Sequence, residues 1–292
     1  MMQSCVDLYW NSNDGLRLHA RDHAPAAGQA PRGTVVCIPG LTRNGADFDA
    51  LADSLTAAGW RVIAVDLRGR AGSERAKDPA SYNPRTYADD MVALLHSQNI
   101  GKAVFVGTSL GVLVTITLAS RAPGLIAAAV LNDAGPKVPR EALVRIGKYA
   151  GKPVPPMDLP QATAYVESIG KASFPRFGPD DWRAMAVRTF RLRGDGLLEL
   201  DYDLAVIRTT RPWLLWLLRP VLWRAVRGLT ARVPVLVVRG ALSDILPADV
   251  ARQMASSSDT ARLVEVPDVG HAPMLNEPEA REAILALLDR VR

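Results

Sequence analysis

The chain has 292 residues, a formal net charge of +5 and only two cysteines, Cys5 and Cys37. This length is enough for one large sheet with an inserted subdomain, and a hydrophobic content of 48% suits a buried core. Two cysteines offer neither a disulfide framework nor the spacing of a metal site, so they predict reduced thiols in a cytoplasmic protein. The N-terminal residues show no basic segment followed by an apolar one, so we predict no secretory signal.

Apolar runs alternate with helical patterns along the first half of the chain. Strands are predicted near 7–10, 15–20, 34–39, 61–65, 103–107 and 126–131, and helices near 46–58, 84–98 and 109–121. From the third strand onward this alternation predicts an α/β fold, with a mostly parallel central sheet and helices on both faces. Two later strands, at 234–239 and 261–266, continue the pattern.

The alternation stops between residues 135 and 231, a segment rich in proline and helical or irregular in pattern. We therefore predict a core in two parts, 1–134 and 232–292, with a helical insertion between them. The insertion holds 16 Lys and Arg against 9 Asp and Glu, so it carries the positive charge of the chain. A basic surface attracts anionic partners, but no nucleic-acid-binding module is recognisable, and we predict no nucleic-acid partner.

The sequence Gly107-Thr-Ser109-Leu-Gly111 fits the pattern G-x-S-x-G and lies between a predicted buried strand and a predicted helix. A serine on such a sharp turn is raised above the sheet edge, and the start of the following helix carries a partial positive charge where an oxyanion would form. The alternative is a tight turn in which Ser109 only caps the helix. We predict that Ser109 is a nucleophile.

A serine nucleophile needs a histidine base and a carboxylate that orients the histidine. Of the four histidines, His271 alone follows a late core strand, in the loop Val269-Gly-His271-Ala-Pro273. Glycine and proline on its two sides hold a loop at the end of that strand. We predict His271 as the base.

The carboxylate should follow another core strand, and two aspartates satisfy this condition. Asp244 comes after the strand 234–239, and Asp133 comes after the strand 126–131. We favour Asp244, and the order Ser109, Asp244, His271 agrees with the chain order of the Ser-Asp-His arrangement that follows a G-x-S-x-G elbow. Asp133 remains the rival, and either aspartate could simply cap its loop.

Together these motifs resemble the α/β-hydrolase superfamily over most of the core. The segments 34–41, 65–73 and 270–278 are similar to its oxyanion turn, its D-x-R-G-x-G-x-S loop and its histidine loop. The resemblance implies that the backbone N–H groups of Leu41 and Leu110 bind the oxyanion, and that the insertion is a cap over the site. One departure is Pro39, which stands where many relatives have histidine.

Three further residues are candidates for substrate contact. Arg43 follows the oxyanion turn and could reach a substrate carboxylate or carbonyl, although an ion pair with a nearby aspartate is the simpler interpretation. Trp213 and Trp216 lie in a basic, apolar part of the insertion, for which we favour a role in lining an acyl pocket. Peripheral membrane contact and a partner surface are the alternatives.

These residues predict a serine hydrolase that cleaves a small or medium-sized apolar ester or lactone through an acyl-enzyme. No cofactor and no metal are predicted, because no phosphate-binding motif and no ligand cluster occur in the sequence. Hydrolysis of a carbon–carbon bond in ring-cleavage products is the enzymatic alternative, and a ligand receptor with little turnover is the alternative of another class. The sequence leaves the substrate and the oligomeric state open.

Overall fold

The computed structural model describes residues 5–25, 29–207 and 217–291. Ten strands are described: β1 Cys5–Asn11, β2 Arg17–His23, β3 Thr34–Ile38, β4 Arg61–Asp66, β5 Ala103–Thr108, β6 Ile126–Asn132, β7 Phe190–Leu192, β8 Leu198–Leu200, β9 Val235–Gly240 and β10 Ala261–Val266. The α-helices described are α1 Asp49–Ala57, α2 Pro84–Ser97, α3 Leu110–Arg121, α4 Arg140–Gly147, α5 Leu159–Gly170, α6 Pro179–Thr189, α7 Arg219–Thr230, α8 Ala248–Ala255 and α9 Pro278–Leu288.

Eight strands form one sheet in the order β1-β2-β4-β3-β5-β6-β9-β10. β2 pairs antiparallel with both β1 and β4, and every other pairing in this sheet is parallel. Parallel strands begin and end on the same sides of the sheet, so the loops that follow β3, β5, β6, β9 and β10 meet at one edge. All the predicted catalytic residues follow one of these strands.

Alternate residues of the parallel strands face two separate apolar cores, one on each side of the sheet. In β5, Phe105 belongs to the core covered by α2, α3, α7 and α8, whereas Val104 and Val106 belong to the core covered by α1 and α9. A strand buried on both faces has no polar side to expose, which explains its unbroken apolar sequence. The predicted α/β architecture with helices on both faces is confirmed, and the boundaries of the eight strands of this sheet differ from the prediction by at most three residues, whereas β7 and β8 were not predicted.

The segment between β6 and β9 contains α4, α5, α6 and the small antiparallel sheet of β7 and β8. α5, α6, β7 and β8 share a third apolar cluster, which includes Phe174, Trp182 and Phe190 and is extended by Val269 and Met274 from the histidine loop. The last helix of the segment, α7, instead packs against α3 and contributes Val226 and Leu229 to the main core. Among the described residues, no helix has both the length and the apolar character needed to cross a bilayer.

Candidate active site

Ser109 lies on the turn between β5 and α3 with φ 54° and ψ −109°. Such a left-handed conformation is unusual for a residue other than glycine and is often found at functional sites. It is held by a hydrogen bond from the Ser109 backbone N–H to the Asn132 carbonyl, at 2.9 Å. Glycine is needed on both sides, because a Cβ at Gly107 would collide with the Gly111 backbone and a Cβ at Gly111 with the Ile38 carbonyl.

His271 lies between the serine and a buried carboxylate. Its Nε2 is 2.8 Å from Ser109 Oγ, and its Nδ1 is 2.8 Å from Oδ2 of Asp133. An ionised carboxylate only accepts hydrogen bonds, so Nδ1 carries the proton and Nε2 is free to accept the proton of the serine hydroxyl. This is the geometry of a nucleophile, a base and an orienting acid.

Asp133, directly after β6, is completely buried, and donors surround its carboxylate. Oδ1 accepts the Gly240 backbone N–H at 3.1 Å, and Oδ2 accepts the Ser243 hydroxyl at 2.7 Å. The Ser243 oxygen itself accepts two backbone N–H groups, those of Ile245 and Leu246, so its proton is directed to Asp133. These contacts fix the carboxylate that faces His271.

The prediction of Asp244 as the orienting acid is therefore corrected. Asp244 forms a bidentate ion pair with Arg145, at 2.6 and 2.7 Å, and 45% of its side chain is exposed. Burial acts to raise the pKa of its carboxyl, but the hydrogen bonds and charge of Arg145 outweigh this effect and hold the pKa below its usual value. In the loop after β9, Ser243 faces Asp133 and the next residue, Asp244, faces away toward Arg145.

The two amides predicted for the oxyanion hole have no hydrogen-bond acceptor among the described residues. The Leu110 N–H belongs to the first turn of α3, where helix N–H groups have no acceptor within the helix. Leu41 is held from its other side, since its carbonyl accepts two hydrogen bonds from the buried Arg70 guanidinium, at 2.9 and 3.1 Å. Their assignment to an oxyanion hole stays a prediction.

Arg43 lies in the wall of the cavity that contains Ser109 and His271. Its guanidinium donates two hydrogen bonds to the carboxylate of Asp47, one of them at 2.6 Å, and another to the hydroxyl of Thr189. Burial acts to lower its pKa, but Asp47 outweighs that effect and raises it. The simpler interpretation of Arg43 as an ion-pair residue thus matches the structure, and Arg43 also ties the oxyanion turn to the end of α6.

The cavity has a volume of about 170 Å³ and is enclosed mainly by apolar side chains. Elements of the segment between β6 and β9 form much of its wall, including Ile146, Ile169 and Phe174. The histidine loop is also attached to this segment, because Gly270 N–H donates to the Ser173 carbonyl at 2.6 Å. Trp213 and Trp216 lie outside the described residues.

A model of the Alpha/beta hydrolase family matches residues 35–284 of the chain. The chain belongs to the α/β-hydrolase family. This hydrolase is 38% identical over 250 residues to the 3-hydroxybutyrate-oligomer hydrolase of Cupriavidus necator, with 84% of each chain covered. It is 30% identical to the 2-(acetamidomethylene)succinate hydrolase of Mesorhizobium japonicum over 80% of this chain and 79% of the relative.

A crystal structure of an α/β hydrolase from Novosphingobium aromaticivorans resembles this hydrolase over 100% of both chains, with 39% identity and a TM-score of 0.88. The fold and the family predicted from the sequence are confirmed. The named relatives are hydrolases of small molecules, which agrees with the prediction of a small-molecule substrate.

Proposed function

We propose that this hydrolase cleaves carboxylic esters through a covalent acyl-enzyme. The observation that carries the proposal is the hydrogen-bonded chain from Ser109 Oγ through His271 to Asp133, located on the wall of a mainly apolar cavity. A neutral histidine that can accept the serine proton is what converts a weak nucleophile into a competent one.

In the proposed reaction, His271 Nε2 takes the Ser109 proton while Oγ attacks the ester carbonyl carbon. The negative charge on the tetrahedral oxyanion is stabilised by the N–H groups of Leu41 and Leu110. His271 then gives the proton to the leaving alkoxide, and a water molecule repeats the sequence to release the acid. Asp133 holds the imidazole and stabilises its positive charge.

The C. necator relative supports an ester substrate, because oligomers of a hydroxy acid are joined by ester bonds. The apolar wall of the cavity suits the short aliphatic groups of such esters. We therefore propose esters of short hydroxy acids, and simple short-chain esters, as the substrates to test first.

The experiment is a panel of p-nitrophenyl acetate, butyrate and octanoate with the wild type and Ser109→Ala. We expect turnover with a burst of p-nitrophenol in the wild type, and a loss of about 10⁴-fold or more in Ser109→Ala. Fluorophosphonate labelling should also disappear in this variant. If Ser109→Ala keeps more than about a tenth of the wild-type turnover, serine catalysis is wrong.

Two other outcomes would point to the alternative functions. Consumption of a coloured dienone ring-cleavage product, with no ester turnover, would indicate carbon–carbon bond hydrolysis. Thermal stabilisation by such compounds without turnover of any of them would indicate a receptor.

A further inference from the structure

One part of the cavity wall differs in character from the rest. It is formed by the end of α4 and the residues after it, where Arg145 and Tyr149 stand among the apolar residues Ile146 and Ala150. Both polar side chains are partly buried. They share the cavity with Ser109, yet neither has a part in the acyl-transfer steps described above.

Some N–H groups of the Arg145 guanidinium have no acceptor among the described residues. Asp244 accepts from its Nε and Nη2, and the Tyr149 hydroxyl lies close enough to the guanidinium to raise its pKa further. A guanidinium carries five N–H groups, and the two bonds to Asp244 leave three of them without an acceptor among the described residues.

Tyr149 is a second donor at the same place. A guanidinium has no acceptor, so the phenolic proton cannot be donated to Arg145. No described residue accepts it. Burial raises the pKa of this hydroxyl, against the opposing charge of Arg145, and the group therefore keeps its proton.

The carboxylates near this part of the cavity are already bonded to other groups. Asp244 balances Arg145, and Asp47 balances Arg43. The remaining carboxylate, Asp133, lies behind His271 and is already bonded to Ser243 and Gly240.

We propose that Arg145 and Tyr149 bind a free carboxylate of the ester, so that the preferred substrates are esters that also carry a carboxylate, such as short hydroxy-acid oligomers. The inference rests on the proposed ester hydrolysis at Ser109. A carboxylate has two oxygens, and it can accept one hydrogen bond from the guanidinium and another from the phenol. The apolar residues beside this pair would contact the aliphatic part of the same molecule.

The test compares the dimer of 3-hydroxybutyrate as the free acid with its methyl ester, which keeps the scissile bond and removes the charge. We expect the wild type to favour the acid by at least about tenfold in kcat/KM, because a charge-assisted hydrogen bond is lost in the methyl ester. Arg145→Gln should lower this acid-to-ester ratio by about tenfold, Tyr149→Phe should lower it less, and Arg145→Lys should keep part of it. High salt should also reduce the ratio.

Lys148→Gln is the matched control, because it removes one positive charge from an exposed residue close to Arg145 that does not line the cavity. It should keep the ratio of the wild type. A wild type that hydrolyses both dimers equally well, or an Arg145→Gln variant that retains the preference, would overturn the proposal. If Arg145→Gln fails to fold, Arg145→Lys and Tyr149→Phe decide the question.

Binding separates this proposal from the proposed function. Calorimetric titration of Ser109→Ala with the free acid should give an affinity at least about tenfold higher than titration of the Ser109→Ala, Arg145→Gln double variant. If this difference is found but the wild type hydrolyses no ester, the carboxylate site stands and ester hydrolysis fails. If esters are hydrolysed but the acid binds both variants equally, ester hydrolysis stands and the carboxylate site is wrong.

Discussion

Replacing Asp133 by asparagine should stop turnover while the same change at Asp244 should not. Asp133 accepts hydrogen bonds from three donors: His271 Nδ1–H, the Ser243 hydroxyl and the Gly240 backbone N–H. An asparagine amide has one acceptor oxygen and one NH₂ group. Whichever way it is placed, its NH₂ group faces at least one of these donors.

If the NH₂ group faces His271, the imidazole must carry its proton on Nε2 and can no longer accept the proton of Ser109. A triad with the wrong tautomer typically loses about 10⁴-fold in kcat, which corresponds to about 5.5 kcal/mol in the activation free energy. The donor that remains unpaired in this fully buried place should also cost about 1–3 kcal/mol of folding stability.

Asp244→Asn removes a partly exposed ion pair, and such pairs contribute about 0–1 kcal/mol. With p-nitrophenyl butyrate, an uncharged substrate, we expect its kcat to fall by less than about tenfold. Steady-state kinetics at pH 8 would measure both values, and thermal melts followed by circular dichroism would show that both variants are folded. A loss of about 10³-fold in Asp244→Asn, with Asp133→Asn nearly unchanged, would return the orienting role to Asp244 and refute the geometric argument.

Two further predictions concern other parts of the chain. Burial, and then the charge of Asp66, raises the pKa of Asp201 to about 6. The favourable contribution of this carboxyl to folding stability is therefore present below its unfolded pKa of about 4 and is lost as the pH rises through about 6. Asp201→Asn should therefore increase the free energy of unfolding by about 1 kcal/mol at pH 8, after solvent screening, and so raise the melting temperature by about 2 °C. At pH 4 the melting temperature should not change, and an equal shift at both pH values would contradict this prediction. Replacing Trp213 and Trp216 by alanine should raise KM for octanoate esters far more than for acetate esters if they line the acyl pocket, whereas lost binding to anionic vesicles with unchanged chain-length selectivity would favour membrane contact.

The elements that hold the site could be predicted because each leaves a strong local pattern. An apolar run buried on both faces has no alternation, a nucleophile turn needs glycine at fixed positions, and a loop histidine between glycine and proline stands out among only four histidines. Ser109 and His271 were found in this way, and the structure brings their side chains into contact. Their roles in catalysis remain for the variants to test.

The orienting acid could not be decided in the same way, because β6 and β9 are neighbours in the sheet. The loops after both strands therefore end beside His271, and both contain an aspartate. The choice depends on which side chain of the β9 loop points inward, and the structure shows that it is Ser243 rather than Asp244. A difference of one residue in a loop has no periodic signal, so no sequence pattern could have revealed it.

The same arrangement explains how the β9 loop can serve two purposes. Ser243 turns toward the buried Asp133 and fixes the carboxylate that is bonded to His271, while Asp244 turns toward the cavity wall and fixes Arg145. A short turn held by the Ser243 hydroxyl and the two N–H groups that follow it keeps both side chains in place. A shift of the loop backbone would therefore disturb both the orientation of His271 and the position of Arg145. Loop variants that move the backbone should change both the acid-to-ester preference and kcat on neutral esters, whereas Asp244→Asn should act mainly through Arg145.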